Sequence, residues 1–101
     1  MSTKHIIDIQ GLAKECAEIV LEDGKIGAIM AIRAYGACLQ SPTRPTLRTV
    51  EKFYDALKPL LADMYRTKLS HLSSHECLAV EQAIARRIYD VIQDMQAGCI
   101  R

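Results

Sequence analysis

Two histidines and a cysteine in the second half of the chain are of residue types that commonly bind metal ions. His71 and His75 are four positions apart, and Glu76 and Cys77 follow directly. On a continuous helix this spacing would place both imidazoles on one face, with the Cys77 thiolate as a third zinc ligand. Ser73 and Glu76, however, have the spacing of a capping box, which would begin a new helix between the two histidines. No second Cys/His cluster completes the ligand set, so we expect neither a metal site nor a cofactor.

Carboxylates that share a helix face are the residue types that acid–base catalysis would use. Glu15 and Glu18 are three positions apart, and Asp90 and Asp94 are four apart. A catalytic pair needs one desolvated member so that the pKa of that carboxyl rises, whereas these four residues fall on polar faces. The chain also contains no glycine-rich phosphate loop of the known spacing. The sequence therefore predicts a protein that is not an enzyme.

Basic residues are concentrated in the middle of the chain. Residues 24–50 carry four basic side chains and no acidic one, whereas residues 1–23 carry two basic and five acidic side chains. If a helix begins after Thr46, its first amides and the nearby cations would together attract an anionic group. The candidate contacts to a partner or to phosphate are Arg33, Thr43, Arg44, Thr46, Arg48 and Lys52.

This basic segment is compatible with two kinds of partner. In a helix-turn-helix, residues 46–58 would face the DNA groove and residues 26–40 would form the first helix. Three features disfavour DNA: the turn contains two prolines, the first helix is too apolar to cross a phosphate backbone, and the formal net charge is only +1. Otherwise the cations meet an acidic protein surface, either the first helix of the same chain or a partner. The sequence favours a protein partner, with nucleic acid as the alternative.

Amphipathic segments must position these residues. Apolar side chains recur at steps of three and four, which is typical of helices. The predicted helices are residues 8–23, residues 25–40, a third that begins after Thr46 and a fourth that runs from the Ser73 cap to Gly98. Because proline lacks an amide hydrogen, Pro59 predicts a kink near residues 56–58 or a division of the third helix in two. The fold class is therefore all-α, a compact bundle of four helices, or five if Pro59 divides the third.

The second segment differs from the others because it is apolar around most of its circumference. This pattern predicts a helix that is buried on several sides. Gly27 and Gly36 each cost about 1 kcal/mol relative to alanine within a helix, so we expect a packing contact at both. Gly24 is expected to end the first helix in the left-handed conformation. The predicted core is Ile29, Ile32, Val50, Phe53, Leu57, Val80, Ile84, Ile88 and Val91.

Length and composition indicate one small folded domain. We expect this domain to span residues 1–101, with residues 1–7 as an N-terminal arm and residues 98–101 as a short tail. Half of the residues are hydrophobic and a quarter are charged, which excludes an intrinsically disordered chain. The most apolar run, residues 26–39, is shorter than a bilayer crossing needs.

The cysteines indicate a reducing compartment. They are widely spaced without a CxxC motif, at Cys16, Cys38, Cys77 and Cys99. The first three fall on apolar stripes, where a reduced cysteine packs as a small hydrophobe. A secretory signal would show an apolar segment after a basic N-terminus, and this sequence lacks that pattern. We therefore expect no export signal, four reduced thiols and a cytoplasmic location.

Together these features predict an interaction module. Four short helices bury only roughly 60–65% of the unfolded surface, yet the apolar faces of the second and third helices are wide. Surplus apolar surface of this kind usually forms an oligomer interface or a partner groove. We therefore expect a regulator, adaptor or inhibitor, cellular or encoded by a phage or mobile element, that binds another protein and forms a homodimer. The alternative is a helix-turn-helix-like transcriptional regulator that binds DNA through residues 43–52.

Overall fold

The computed structural model describes the backbone of residues 8–99 and the side chains of residues 8–96. Within this range the chain forms five α-helices and no strand, which confirms the all-α prediction. The helices are α1 (Ile9–Asp23), α2 (Ile26–Gln40), α3 (Leu47–Leu60), α4 (Ala62–Arg66) and α5 (Ser74–Cys99). The predicted arm and residues 100–101 lie outside the described range, whereas the predicted end at Gly98 is wrong because α5 continues to Cys99.

Side chains at the helix starts determine where three of the helices begin. The Asp8 carboxylate accepts a hydrogen bond from an amide in the first turn of α1 at 2.9 Å. The Thr46 hydroxyl accepts one from the Thr49 amide at 3.2 Å, as predicted for α3. The capping box before α5 is also confirmed: the Ser73 amide donates to the Glu76 carboxylate at 2.9 Å, and the Glu76 amide donates to the Ser73 hydroxyl at 3.2 Å. Each cap satisfies an amide that has no partner within its helix.

Pro59 divides the third segment, and the division lies after the proline. Helix α3 continues through Pro59, and the backbone leaves helical geometry at Leu61, where φ is −109° and ψ is 23°. The Leu61 amide still donates to the Leu57 carbonyl at 3.0 Å, and α4 begins at the next residue. The predicted division into two helices is therefore confirmed, and the residue that separates them is Leu61.

Four helices surround the core. Helix α5 packs against α1 and α2, and α3 packs against α2 and, less extensively, against α1. The side chains of Ile29 and Leu60 fill the space beside Gly24, so the end of α1, the start of α2 and the end of α3 lie together. The largest fully buried side chains are Phe53, Ile32, Leu57, Leu61, Ile84, Ile88, Val20, Val80 and Cys16.

Most of the predicted core residues are buried. The confirmed residues are Ile32, Phe53, Leu57, Val80, Ile84 and Ile88. Ile29 and Val50 are only half-buried and pack against the edge of the core, and Val91 is also half-buried. Helix α1 contributes more than we expected, through Ala13, Cys16, Ala17 and Val20.

The prediction that the second helix is buried on several sides is wrong. In α2 only Ile32, Tyr35 and Gly36 are buried, whereas Ile26 and Met30 are exposed. The physical reason is the number of neighbours: α2 contacts α3 and α5, and these two helices cover one side of it. Its other side is an apolar surface that faces solvent.

The three glycines near α2 have different surroundings. A Cβ atom at Gly36 would overlap the Ala85 carbonyl oxygen, which confirms the expected close approach of α2 and α5. At Gly27 the same atom would meet nothing within 4 Å, so the expectation of a packing contact there is wrong. Gly24 is extended (φ −76°, ψ 138°) rather than left-handed, because the chain passes directly from α1 into α2. A Cβ there would lie 2.5 Å from the Val20 carbonyl oxygen.

Candidate functional site

The cations predicted to contact a partner lie at the start of α3 and in the loop before it. Arg44, Arg48 and Lys52, which we call the basic strip, are exposed and form no ion pair with any described residue. Thr43 is also exposed. The Thr46 hydroxyl is occupied as the helix cap, so it already satisfies one of the amides that an anion would use.

The basic strip does not pair with the acidic first helix of the same chain. Helix α1 instead forms an ion pair with the loop after α4, between Glu15 and Lys68 at 2.7 Å. Glu51 and Asp55 are exposed on α3 itself, close in sequence to the cations of the strip. These interleaved acids reduce the positive potential that a phosphate backbone would require.

Arg33 lies in the contact between α2 and α5 rather than in the basic strip. Its guanidinium is 5.6 Å from the centroid of the Tyr89 ring, within the range of a cation–π interaction. Its Nε atom is buried and has no hydrogen-bond partner among the described residues. The structure therefore does not group Arg33 with the other candidate contacts.

A second cluster, not predicted from the sequence, surrounds the buried side chain of Glu81 in α5. This residue is only 6% exposed. The Tyr54 hydroxyl donates to Oε1 at 2.7 Å, and the Tyr65 hydroxyl donates to Oε2 at 2.6 Å. The Cys77 thiol also donates to Oε2, at 3.6 Å. We call Glu81, its three donors and the neighbouring Lys58 the glutamate cluster.

Two tyrosines from different helices reach the carboxylate of Glu81. Tyr54 is in α3 and Tyr65 is in α4. The chain leaves helical geometry between them, at Leu61, and both hydroxyls donate to Glu81.

Lys58 lies at the open side of the glutamate cluster. Its Nζ atom is 5.6 Å from the ring centroid of Tyr54 and 5.2 Å from that of Tyr65. Glu81 forms no ion pair with Lys58 or with any other described residue. A pocket of about 360 Å³ opens beside them and is lined by Tyr54, Lys58, Ser74, Cys77, Leu78 and Glu81.

Burial and the charge of Glu81 keep the donors of the cluster protonated. Burial raises the pKa of both Tyr54 and Tyr65 above the ordinary 10.0, and the hydrogen bond to Glu81 adds to the increase. Burial, followed by the charge of Glu81, raises the pKa of Cys77 to about 11. Since the thiolate is the nucleophilic form of cysteine, Cys77 is a poor nucleophile near neutral pH. The cluster therefore holds its thiol in the form that is not activated for nucleophilic attack.

We expect the free energy of unfolding to fall as the pH rises above about 9. The pKa of Cys77 and that of the buried Cys16 increase from 9.0 to about 11 on folding, in both cases mainly through burial. The folded state then retains protons that the unfolded chain has released, so stability decreases with pH. Tyr54 and Tyr65 extend the decrease beyond pH 10.

Urea unfolding at intervals between pH 8 and pH 11 tests this dependence. Tyr65→Phe removes one of the four groups, and its curve should be less steep above pH 10 than that of the unsubstituted protein. A free energy of unfolding that is constant between pH 9 and pH 11 would contradict the burial of these four groups.

The residues considered for a metal ion do not come together. His71 and His75 are exposed on either side of the Ser73 cap. Among residues 8–96, no group of three or more histidine, cysteine, aspartate or glutamate side chains is arranged to hold a metal. Cys16, Cys38 and Cys77 are free thiols, and the side chain of Cys99 lies outside the described residues.

Comparison with known proteins assigns no function to the chain. No protein-family model, curated protein or solved structure matches it. Within the part of the chain that the structure describes, no helix combines the length and apolar character needed to cross a membrane.

Proposed function

We propose that the protein is a small non-enzymatic interaction module that forms a homodimer through one side of α2. The observation that carries this proposal is the apolar character of an exposed helix surface. Ile26 is 79% exposed and Met30 is 40% exposed, and Gly27 and Ala34 are also exposed. We call these four residues the α2 face.

The spacing of the α2 face is that of one side of a helix. Residues 26, 30 and 34 recur at steps of four, and residue 27 is three positions before residue 30, so the four residues form a continuous stripe. Arg33 is the only charged residue among residues 26–40, and it is directed to Tyr89 of α5. An exposed helix surface without charge is unusual in a monomeric protein and commonly marks an interface.

A second copy of the chain is the partner that fits this face. An apolar stripe needs no opposite charge, so it is complementary to itself across a two-fold axis. Gly27 and Ala34 have little or no side chain, which allows two α2 helices to approach closely while Ile26 and Met30 pack at the contact. Burial of apolar area contributes about 25 cal/mol per Å², and this term would drive the association.

The basic strip remains available for a different partner of the dimer. It lies on α3 and the loop before it, outside the α2 face. Because the acidic residues Glu51 and Asp55 lie beside the strip, a protein surface with an uneven charge distribution fits it better than a uniformly negative phosphate backbone. We therefore assign the strip to an acidic protein and keep DNA as the alternative. Complementary charges of this type mainly increase the rate and specificity of capture. A regulator, adaptor or inhibitor would act in this way, and three free thiols support a cytoplasmic location.

We expect Met30→Glu to convert the dimer into a monomer. Two-fold symmetry would bury two unpaired carboxylates in the interface, and each such burial costs several kcal/mol, so the dimer Kd should rise at least roughly a hundredfold. Light scattering at micromolar concentration should give twice the 11.3 kDa chain mass for the unsubstituted protein and a single chain mass for the variant.

Met95→Glu is the matched control for this experiment. Met95 is an exposed methionine of α5, 60% accessible, and it is not part of the α2 face. Its substitution introduces the same charge and should leave the dimer intact. The proposal is wrong if the unsubstituted protein is monomeric, or if both glutamate variants have the same mass.

A further inference from the structure

Glu81 is a buried carboxylate that forms no ion pair with any described residue. Buried carboxylates are normally paired with a cation, because removal from water is costly. Glu81 is almost fully buried, yet its hydrogen bonds come from two phenols and a thiol, all of which are neutral. The negative potential at this point is therefore not cancelled by an ion pair among the described residues.

Two aromatic rings lie beside this charge and already hold a cation. The Lys58 ammonium is within 6 Å of the ring centroids of both Tyr54 and Tyr65. Ring faces attract cations through their quadrupole, and cages of such rings recognise quaternary ammonium groups. Here the carboxylate of Glu81 is hydrogen-bonded to both phenols and adds its full charge to the attraction.

We propose that the pocket beside Glu81 binds a small quaternary ammonium group, which displaces Lys58 from the two tyrosine rings. Hydrogen-bond donors already occupy three of about four lone-pair positions on the Glu81 carboxylate. A ligand without N–H groups therefore loses little binding energy, because few further hydrogen bonds to this carboxylate are available. A pocket of about 360 Å³ accommodates a group of this size. Lys58 is exposed and has a flexible stem, so its ammonium can move into water when the ligand enters.

This site is independent of the proposed homodimer. Its lining residues belong to α3 and α5 and to none of the α2 face. Failure of the dimer experiment would therefore leave this proposal unaffected, and the reverse is also true.

The decisive experiment compares the binding of tetramethylammonium to the unsubstituted protein and to Lys58→Ala. In the unsubstituted protein, Lys58 is a tethered competitor, and tethered groups act at millimolar effective concentration. Its removal should therefore tighten binding roughly tenfold in an NMR titration, and the affected signals should be those of Tyr54, Tyr65 and Cys77. A parallel titration with sodium chloride corrects for ionic strength.

Two further variants keep the outcome interpretable. Lys14→Ala removes an exposed lysine of α1 outside the pocket, and it should bind like the unsubstituted protein. In the double variant Glu81→Gln, Lys58→Ala, the side chain at position 81 keeps its size but loses its negative charge. This variant should bind tetramethylammonium at least roughly tenfold more weakly than Lys58→Ala alone. If Glu81→Gln does not fold, the map of shifted signals in Lys58→Ala decides. No saturable binding by Lys58→Ala, or shifts outside the cluster, would overturn the proposal.

Discussion

Replacing Phe53 with alanine is expected to lower the free energy of unfolding by about 3–5 kcal/mol. Phe53 is fully buried in α3. Its ring centroid is 4.3 Å from that of Tyr35 in α2 and 4.9 Å from that of Tyr54 in its own helix. The substitution would leave a cavity between α2 and α3 and remove two aromatic contacts, so the loss should approach the upper end of the range.

Urea unfolding of Phe53→Ala and of Leu47→Ala provides the test. Leu47 belongs to the same helix but is 74% exposed, so its substitution should change stability by less than about 0.5 kcal/mol. A loss below about 1 kcal/mol for Phe53→Ala would mean that α3 presents a different face to the core.

Local signals explain why the helix limits were predictable. A cap acts over three residues, so Thr46 and Ser73 indicate helix starts without knowledge of the rest of the fold. The missing amide of Pro59 likewise guarantees a disturbance nearby. The position of the break, at Leu61, was harder to predict from the sequence. It depends on which backbone carbonyls can lose their helical hydrogen bond in the packed chain.

Burial was less predictable because it depends on neighbouring helices. Ile26 and Ile32 are the same residue type in the same apolar helix, yet Ile26 is exposed and Ile32 is fully buried. An apolar pattern around the whole circumference does not indicate which side meets α3 and α5. The predicted burial of α2 on several sides was wrong for this reason.

The candidate site residues illustrate the same limit. The cations of the basic strip could be named from the sequence because charge and exposure at a helix start are local properties. The glutamate cluster requires α3, α4 and α5 to converge, with Tyr54 and Tyr65 separated from Glu81 by 27 and 16 residues. One sequence signal did exist: Glu81 falls within the apolar stripe of α5, where a carboxylate must find buried donors.

Alanine substitutions at two glycines of α2 are expected to change stability in opposite directions. At Gly36 the new Cβ would overlap the carbonyl oxygen of Ala85 and lie 2.8 Å from its carbonyl carbon. Backbone atoms cannot rotate away, so α2 and α5 must separate, and we expect a loss of about 2–3 kcal/mol. At Gly27 the Cβ meets nothing within 4 Å. The helix then gains about 0.5–1 kcal/mol, because alanine loses less conformational entropy than glycine on folding.

Both substitutions are best measured in the Met30→Glu background, because dimer formation would otherwise add to the apparent stability. Thermal or urea unfolding should then place Gly36→Ala below the parent and Gly27→Ala above it. If both variants are less stable, the α2 face is covered within the single chain, and the proposed interface does not exist. If both are more stable, α2 and α5 do not approach closely at Gly36. Opposite signs are expected only if α2 packs tightly against α5 near its C-terminal end and is open to solvent at its start.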